Sequence, residues 1–387
     1  MKIDSHQHFW NYTDHAGDYV WMSDEYGALR RDFLPDDLEP LLTETGFHGT
    51  VAVQAREMVA ETDFLLGLAD RTPWMLGVVG WIDLCAPDAE PLVERYAAHP
   101  KLKGLRLLIH DRPDPGFAAS PEHVRGIGWL ERHGLTYDLL LKPPHIRPAT
   151  RLVDQFPNQK FVVDHIAKPD IPGGGLSPWA EDIRELARRP NVFCKLSGMV
   201  TTADWATWTP AQLAPYLDVV LEAFGPSRLM VGSDWPVCTC AASYQRTMQT
   251  TFDWAAGLSA DEQAAVLGGT CERFYGLEPP VRRYGMVIGL RDEHEAAYRR
   301  VHDGPGVRDL LREANIRNFN IFLHRLPDGK LYEFGYYEYC GTDHAGDMAR
   351  LDAHPRHVEW LRLCDPMQLP LPGEKSWSMM ERVYFNP

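Results

Sequence analysis

Two histidines one residue apart carry the first chemical signal in this chain. In KIDSHQHFW (2–10), His6 and His8 follow an apolar, strand-like start. On a strand, residues i and i+2 face one side, so both imidazoles can enter a single site. With 16 histidines in 387 residues, chance supplies about 0.7 such pairs, so the motif needs partners. Two lie downstream: His165 in VVDHIAKP and Asp234 in MVGSDWP. The four groups together suit hydrolysis. Asp234 can take a proton from water as general base. The histidines can polarise a carbonyl, stabilise an oxyanion or hold a metal. A single divalent metal such as zinc, held by His6, His8 and His165 or Asp234, is chemically feasible.

Such residues must be brought together by the fold. Short apolar runs recur at KIDSHQH (2–8), GTVAVQA (49–55), WMLGVVGWI (74–82), LKGLRLLI (102–109), LTYDLLL (135–141), KFVVDHI (160–166), VFCKLSG (192–198) and LMVGSDW (229–235). Helical patterns stand between most of them, for example ETDFLLGLADR (61–71), PEHVRGIGWLERHG (121–134), WAEDIRELARRP (179–190) and PAQLAPYLDVVLEAFG (210–225). Strand–helix alternation predicts a parallel sheet with helical crossovers, and eight units predict an α/β protein built on a (β/α)8 TIM-like barrel. A doubly wound open sheet is the alternative, but it normally carries a Gly-rich phosphate loop after an early strand; here the first strand ends in HQHFW. In a closed barrel, strand one lies beside strand eight, and strand C-terminal ends form the active mouth. His165 then ends the sixth strand and Asp234 the eighth.

Further polar residues belong near that mouth. Gln54 and Arg56 follow strand two, Asp83 follows strand three, and Lys195 and Ser197 lie on strand seven. Arg106 interrupts the apolar GLRLL and is a candidate for contacting a carbonyl or hydroxyl; a salt-bridged barrel residue is the equal alternative. Trp81 and Trp235 can stack on a sugar ring or fill the core.

The texture changes after GGTCERFYGLEPP (268–280), where two prolines end the last barrel helix. RYGMVIGL (283–290) reads as a strand, and EHEAAYRRVHDGPGVRDLLREAN (293–315) as one helix, or two split at Gly304-Pro305. NFNIFLHR (318–325) and KLYEFGYYEY (330–339) read as strands joined by a Pro-Asp-Gly turn. HAGDMARLDAHPRHVEWLRLCD (344–365) reads as helical and SWSMMERVYF (376–385) as a closing strand. The order β-α-β-β-α-β predicts a small ferredoxin-like α+β domain. The expected domains are therefore 1–278 and 279–387.

Composition narrows the partners. A net charge of −15 and the lack of a basic stripe argue against nucleic acid and anionic membrane surfaces. No apolar run approaches membrane-spanning length. Seven scattered cysteines, with a lone C-x-C at Cys238 and Cys240, read as reduced thiols. Met1-Lys2 runs at once into Asp4, Ser5 and His6, which does not read as a secretory leader. The expectation is a cytoplasmic protein.

HQH, DHIAKP and VGSDWP, together with the RFYGL tail, resemble the "amidohydrolase 2" branch of the amidohydrolase superfamily over residues 1–278. Within it, the sequence is most similar to L-fuconolactone and L-rhamnonolactone hydrolases. The resemblance implies a (β/α)8 barrel, a sugar-lactone substrate and Asp234 as the base that activates water. Metal-dependent relatives usually carry His on strand five and often Lys or Glu on strand four. Here those strands read LLLKPPH and GLRLLIH, with Lys142 and Arg106 nearby and His110 and His145 beyond the strand ends. The favoured expectation is no required cofactor. A zinc-dependent decarboxylase and a 2-pyrone-type dicarboxylate lactonase are the rival barrel enzymes.

EAAYRRVH, RNFNIFL, KLYEFGYYEY and HVEWL resemble the L-rhamnose mutarotase family and its L-fucose relatives over residues 282–387. That implies a dimeric ferredoxin-like domain, hence a homodimer, exchanging the anomers of a free deoxy sugar. His302 suits the acid role, with Tyr298 and Trp360 binding or orienting the sugar. The family often has Tyr where Phe319 stands and a double Trp at Glu359-Trp360, so the preferred sugar stays open. A non-catalytic sugar-binding or dimerisation module is the alternative.

Overall fold

A computed structural model describes residues 1–384 except Pro280 and Thr342. The eight apolar runs form eight parallel strands in one sheet, in sequence order. They are β1 (Ile3–Gln7), β2 (Gly49–Val53), β3 (Met75–Gly80), β4 (Leu102–Leu107), β5 (Thr136–Leu139), β6 (Phe161–Val163), β7 (Val192–Leu196) and β8 (Leu229–Val231). The strands are almost wholly buried, which accounts for continuous rather than alternating apolar runs. Amphipathic helices cover the outside. The helix Pro121–His133 shows why they start and stop: Ser120 accepts from the His123 N–H at its head, and Gly134 ends it at φ +70°.

Closure occurs just beyond β8. Gln7 forms a parallel bridge with Trp235. The Asp234 N–H donates to the His6 carbonyl at 2.8 Å, and the His8 N–H donates to the Trp235 carbonyl at 2.6 Å. The seam that shuts the barrel therefore runs through the residues singled out for chemistry. Asp4 reinforces it from beneath. Its buried carboxylate accepts from the Ser233 N–H at 2.9 Å, the His6 N–H at 3.2 Å and the Tyr244 hydroxyl at 3.1 Å.

The chain divides into two compact units at Glu278/Pro279. In the second, β9 (Arg282–Leu290), β10 (Ile316–Arg325), β11 (Leu331–Tyr339) and β12 (Gln368–Leu369) form an antiparallel sheet ordered β10-β11-β9-β12. That is the ferredoxin-like order. One open alternative is decided and two expectations are corrected. Segment 293–315 breaks into helices Glu295–Asp303 and Arg308–Glu313, because Gly304-Pro305 cannot continue a helix. Segment 344–365 likewise divides into His344–Ala353 and Pro355–Cys364, with proline at the first position of the second helix. Of the closing strand 376–385, only β13 (Ser378–Met380) forms, beside β9; Phe385 lies outside the described residues. Among the described residues, no helix is long and apolar enough to cross a membrane.

Removing the Asp4 carboxylate strands three buried donors. We expect Asp4→Ala to cost about 2–4 kcal/mol, at about 1–3 kcal/mol per unsatisfied buried group, with part of the loss recovered by relaxation. Urea unfolding of the variant beside the parent chain checks this.

Candidate active site

His6 is at the centre of the barrel mouth and is fully buried. Its Nδ1 lies 3.3 Å from Asp164 Oδ1 and 3.2 Å from Lys195 Nζ, and its Nε2 lies 3.3 Å from Arg106 Nη1. Nε2 therefore faces an arginine donor, while Nδ1 lies between the Asp164 carboxylate and the Lys195 ammonium. Burial, aided by the Lys195 charge and opposed by Asp164, holds His6 well below the usual histidine range. The ring is neutral.

His8 is oriented by β2. Its Nδ1 is 2.7 Å from the Val53 carbonyl, which can only accept, so Nδ1 carries the proton. Its Nε2 then faces Asp234 Oδ1, 3.3 Å away.

His165 and Asp234 lie past their strands, in turns rather than at strand ends. His165, Ile166, Ala167 and Lys168 all have φ between +48° and +60°, and Asp234 has φ +59°. Left-handed backbone costs a residue with a Cβ about 1–2 kcal/mol. The turn is held by Trp179 Nε1–H donating to the Ile166 carbonyl at 2.8 Å and by His165 Nδ1 meeting Ser197 Oγ at 2.9 Å. Gly198 permits the approach: a Cβ there would fall 2.4 Å from His165 Nδ1. Asp234 Oδ1 ends 3.9 Å from both His6 Nε2 and His165 Nε2. Burial alone would raise the Asp234 pKa, but His165, His8 and Lys168 outweigh it and keep the carboxylate ionised.

Below the histidines lies a charge network that single residues did not announce. Asp164 Oδ1 pairs with Lys195 Nζ at 3.0 Å, and Asp164 Oδ2 pairs with Arg106 Nη1 at 2.9 Å. Lys195 also meets Asp138 at 2.5 Å, and the Tyr275 hydroxyl donates to Asp138 at 2.9 Å. Asp164 sits inside the quoted DHIAKP, and its place before His165 was the available signal. Tyr275 sits inside the quoted RFYGL and Asp138 inside LTYDLLL, but neither was singled out. Lys168 was also missed. Burial lowers its pKa while Asp234 opposes this, and among the described residues it has no ion pair within 4.0 Å.

Several sequence candidates take other places. Lys195 is wholly buried beneath His6, paired with Asp138 and Asp164. Gln54 is buried too, its Nε2 donating to the Arg106 carbonyl at 3.1 Å while its own carbonyl accepts from Arg106. Arg106 is tied up by Asp164 and Gln54, the salt-bridged alternative. Arg56 is taken by Glu61 at 2.5 Å and Asp18 at 2.8 Å. Trp235 is wedged edge-on against Phe33 at 5.3 Å and Phe9 at 6.0 Å, so it presents no free face. Trp81 is half-buried against the core. Of the two expected ligand sets, His6, His8 and Asp234 have ligand atoms within 4.8 Å of one another, whereas His165 groups instead with His6 and Asp164. The first fits one divalent ion, because tetrahedral zinc with bonds of about 2.0–2.1 Å separates neighbouring ligand atoms by about 3.3 Å.

In the second unit an open groove of about 1120 Å³ is lined by Tyr298, His302, Phe319, Ile321 and Trp360 among others. The His302 ring lies 4.2 Å from that of Tyr298 and 5.2 Å, edge-on, from that of Trp360. His302 Nδ1 bonds the Tyr298 carbonyl at 3.0 Å, leaving Nε2 for a ligand. Phe319 is 37% exposed. Sequence reasoning missed Glu333, which accepts the Tyr298 hydroxyl at 2.6 Å from the floor.

Known proteins agree with this division. Residues 3–277 match the amidohydrolase family, and residues 283–385 match L-rhamnose mutarotase. An L-fucono-1,5-lactonase of Burkholderia multivorans is 40% identical over 291 residues, covering 72% of this chain and 97% of that one. One from Burkholderia ambifaria is 36% identical over 292 residues, covering 74% and 93%. A crystal structure of an amidohydrolase from B. multivorans with bound zinc, 41% identical, superposes with a TM-score of 0.68 over 72% of this chain and 99% of that one.

Because one Asp164 carboxylate satisfies two buried cations, Asp164→Ala should destabilise the barrel by about 3–5 kcal/mol. Denaturant unfolding followed by tryptophan fluorescence measures it.

Proposed function

Residues 3–277 make this chain a member of the amidohydrolase family, and we propose that it hydrolyses L-fucono-1,5-lactone or a related aldonolactone to the aldonate. Asp234 carries the reading: a buried, ionised carboxylate 3.3 Å from His8 and 3.9 Å from His6 and His165, at the mouth of a barrel. The similarity to two L-fucono-1,5-lactonases supplies the substrate class.

The chemistry follows from charge. Asp234 takes a proton from water as the oxygen attacks the lactone carbonyl. The carbonyl π electrons move onto oxygen, where the Lys168 ammonium meets the developing negative charge. When the intermediate collapses, the ring C–O bond breaks and the ring oxygen recovers the proton from Asp234. That transfer leaves Asp234 ionised again, and the hydroxy acid formed loses the remaining water proton to solvent, giving the hydroxy-carboxylate. His8 and His165 hold the Asp234 carboxylate in place, and the neutral His6 forms the dry floor. A divalent ion held by His6, His8 and Asp234 would supply a Lewis acid for the carbonyl.

The second unit is proposed to interconvert the anomers of L-fucose or L-rhamnose. The groove pairs an acid–base histidine, His302, with aromatic walls from Tyr298 and Trp360, as sugar recognition requires. One chain would then supply the cyclic sugar anomer that an oxidation to lactone consumes, and open the lactone afterwards.

Proton release from L-fucono-, L-rhamnono-, L-galactono- and D-arabinonolactone, with and without chelator, tests the barrel. Asp234→Asn should lower kcat by about 10²–10⁴-fold with the fold retained, as loss of a general base does. Full activity in that variant would overturn the mechanism. Lys168→Met should lower kcat more than it raises KM, since the oxyanion exists only along the reaction path. Turnover on no lactone would overturn the substrate class. His302→Ala should abolish anomer exchange, followed by NMR saturation transfer, and leave lactone hydrolysis unchanged.

A further inference from the structure

Mutarotation needs a base at the anomeric hydroxyl as well as an acid at the ring oxygen, and the groove's lining leaves the base unassigned. Beneath Tyr298 stands Glu333 of β11, with 0% exposure. Its Oε2 accepts from the Tyr298 hydroxyl at 2.6 Å and from Gln368 Nε2 at 3.0 Å. Its Oε1 is buried and has no hydrogen-bond partner among the described residues. Its cross-strand neighbours are Ile288 of β9 and Leu323 of β10. The groups facing it that can titrate are the Tyr298 phenol and the Cys364 thiol of helix Pro355–Cys364. Among the described residues no cation lies within 4.0 Å of it. A buried carboxylate without a cation is costly to keep for structure alone.

Resting on the mutarotase reading of this unit, we propose that Glu333 is a positioning residue for anomer exchange. It draws the Tyr298 hydroxyl proton to the buried side, so the phenolic lone pairs face the groove and can accept the anomeric proton. The step balances. The C1–O5 bond breaks, its electron pair goes to the ring oxygen, and that oxygen takes a proton from protonated His302. The anomeric O–H proton passes to Tyr298 Oη as the Tyr298 proton passes to Glu333 Oε2. The freed O–H pair forms the aldehyde C=O. Rotation about C1–C2 and the reverse transfers give the other anomer and restore both groups. Burial, against the bonds from Tyr298 and Gln368, raises the Glu333 carboxyl to about 7, where a base serves best at neutral pH. Since the carboxylate is the working form, exchange should fall as pH drops through that value.

The test is NMR saturation transfer between the anomeric protons of L-rhamnose and L-fucose, using the full-length chain. Glu333→Gln should lower the saturated exchange rate by about 100-fold, with KM within about threefold, as expected for a lost proton acceptor. Its acid limb near pH 7 should disappear. Tyr298→Phe should lose a similar factor, and the double variant should be no slower than Tyr298→Phe alone, because Glu333 acts only through that hydroxyl. Circular dichroism reports folding of the second unit. Should Glu333→Gln fail to fold, Glu333→Asp keeps a carboxylate and should retain exchange within about tenfold, whereas loss beyond that overturns the proposal. Exchange by Glu333→Gln within threefold of the parent, or additive losses in the double variant, would overturn the role of Glu333 and leave the mutarotase reading standing. Absence of exchange above the spontaneous rate in the parent would overturn both.

Discussion

Two backbone hydrogen bonds, from Asp234 to the His6 carbonyl and from His8 to the Trp235 carbonyl, govern the first unit. They close the eight-stranded sheet and set the spacing of the reactive side chains in one act. β8 is only three residues long, so closure cannot rely on a long ladder. It rests instead on the chain just past β8, bent into a left-handed conformation at Asp234 and fastened below by Asp4. A carboxylate on a flexible loop would find water. Here the backbone around it is part of the barrel wall, and the carboxylate must face the histidines.

Electrostatics then determines what each group can do. Two buried carboxylates, Asp138 and Asp164, face two buried cations, Lys195 and Arg106. Desolvating such charges is expensive, and the network offsets this only because nearly every donor finds an acceptor. At the mouth, burial with the Lys195 charge holds His6 neutral against the pull of Asp164. Asp234 lies outside that balance. With histidines and Lys168 around it, it stays ionised despite burial. The strain in residues 165–168 falls where two of these groups, His165 and Lys168, are presented.

The second unit solves the same problem in the opposite way. Glu333 is buried as deeply as Asp164 but faces a phenol, an amide and apolar side chains instead of cations. Asp164 is consequently driven well below the carboxylate range by its cations, while Glu333 rises to about 7. One serves as a fixed charge, the other as a proton acceptor.

Much of this was legible in the sequence. Apolar runs at regular intervals fixed eight parallel strands, because strands buried on both faces need no alternation. Turn chemistry placed the boundary between the units and the helix breaks at Gly304-Pro305. The i, i+2 spacing of His6 and His8 put both on one side of β1. The pairing partners were not legible. Asp138, Asp164, Lys195 and Tyr275 come from four separate elements, and only closure of the barrel brings them within hydrogen-bonding distance. Trp235, Arg56 and Lys195 read as mouth residues because local pattern reports which side of a strand a residue takes, not what already occupies the space there. Glu333 read as an ordinary charge in an aromatic strand; its burial became apparent only when helix Glu295–Asp303 packed Tyr298 over it. Local sequence determined the elements and the chemical types available. Tertiary structure decided which carboxylate meets a cation and which does not, because that depends on desolvation and on contacts between distant segments.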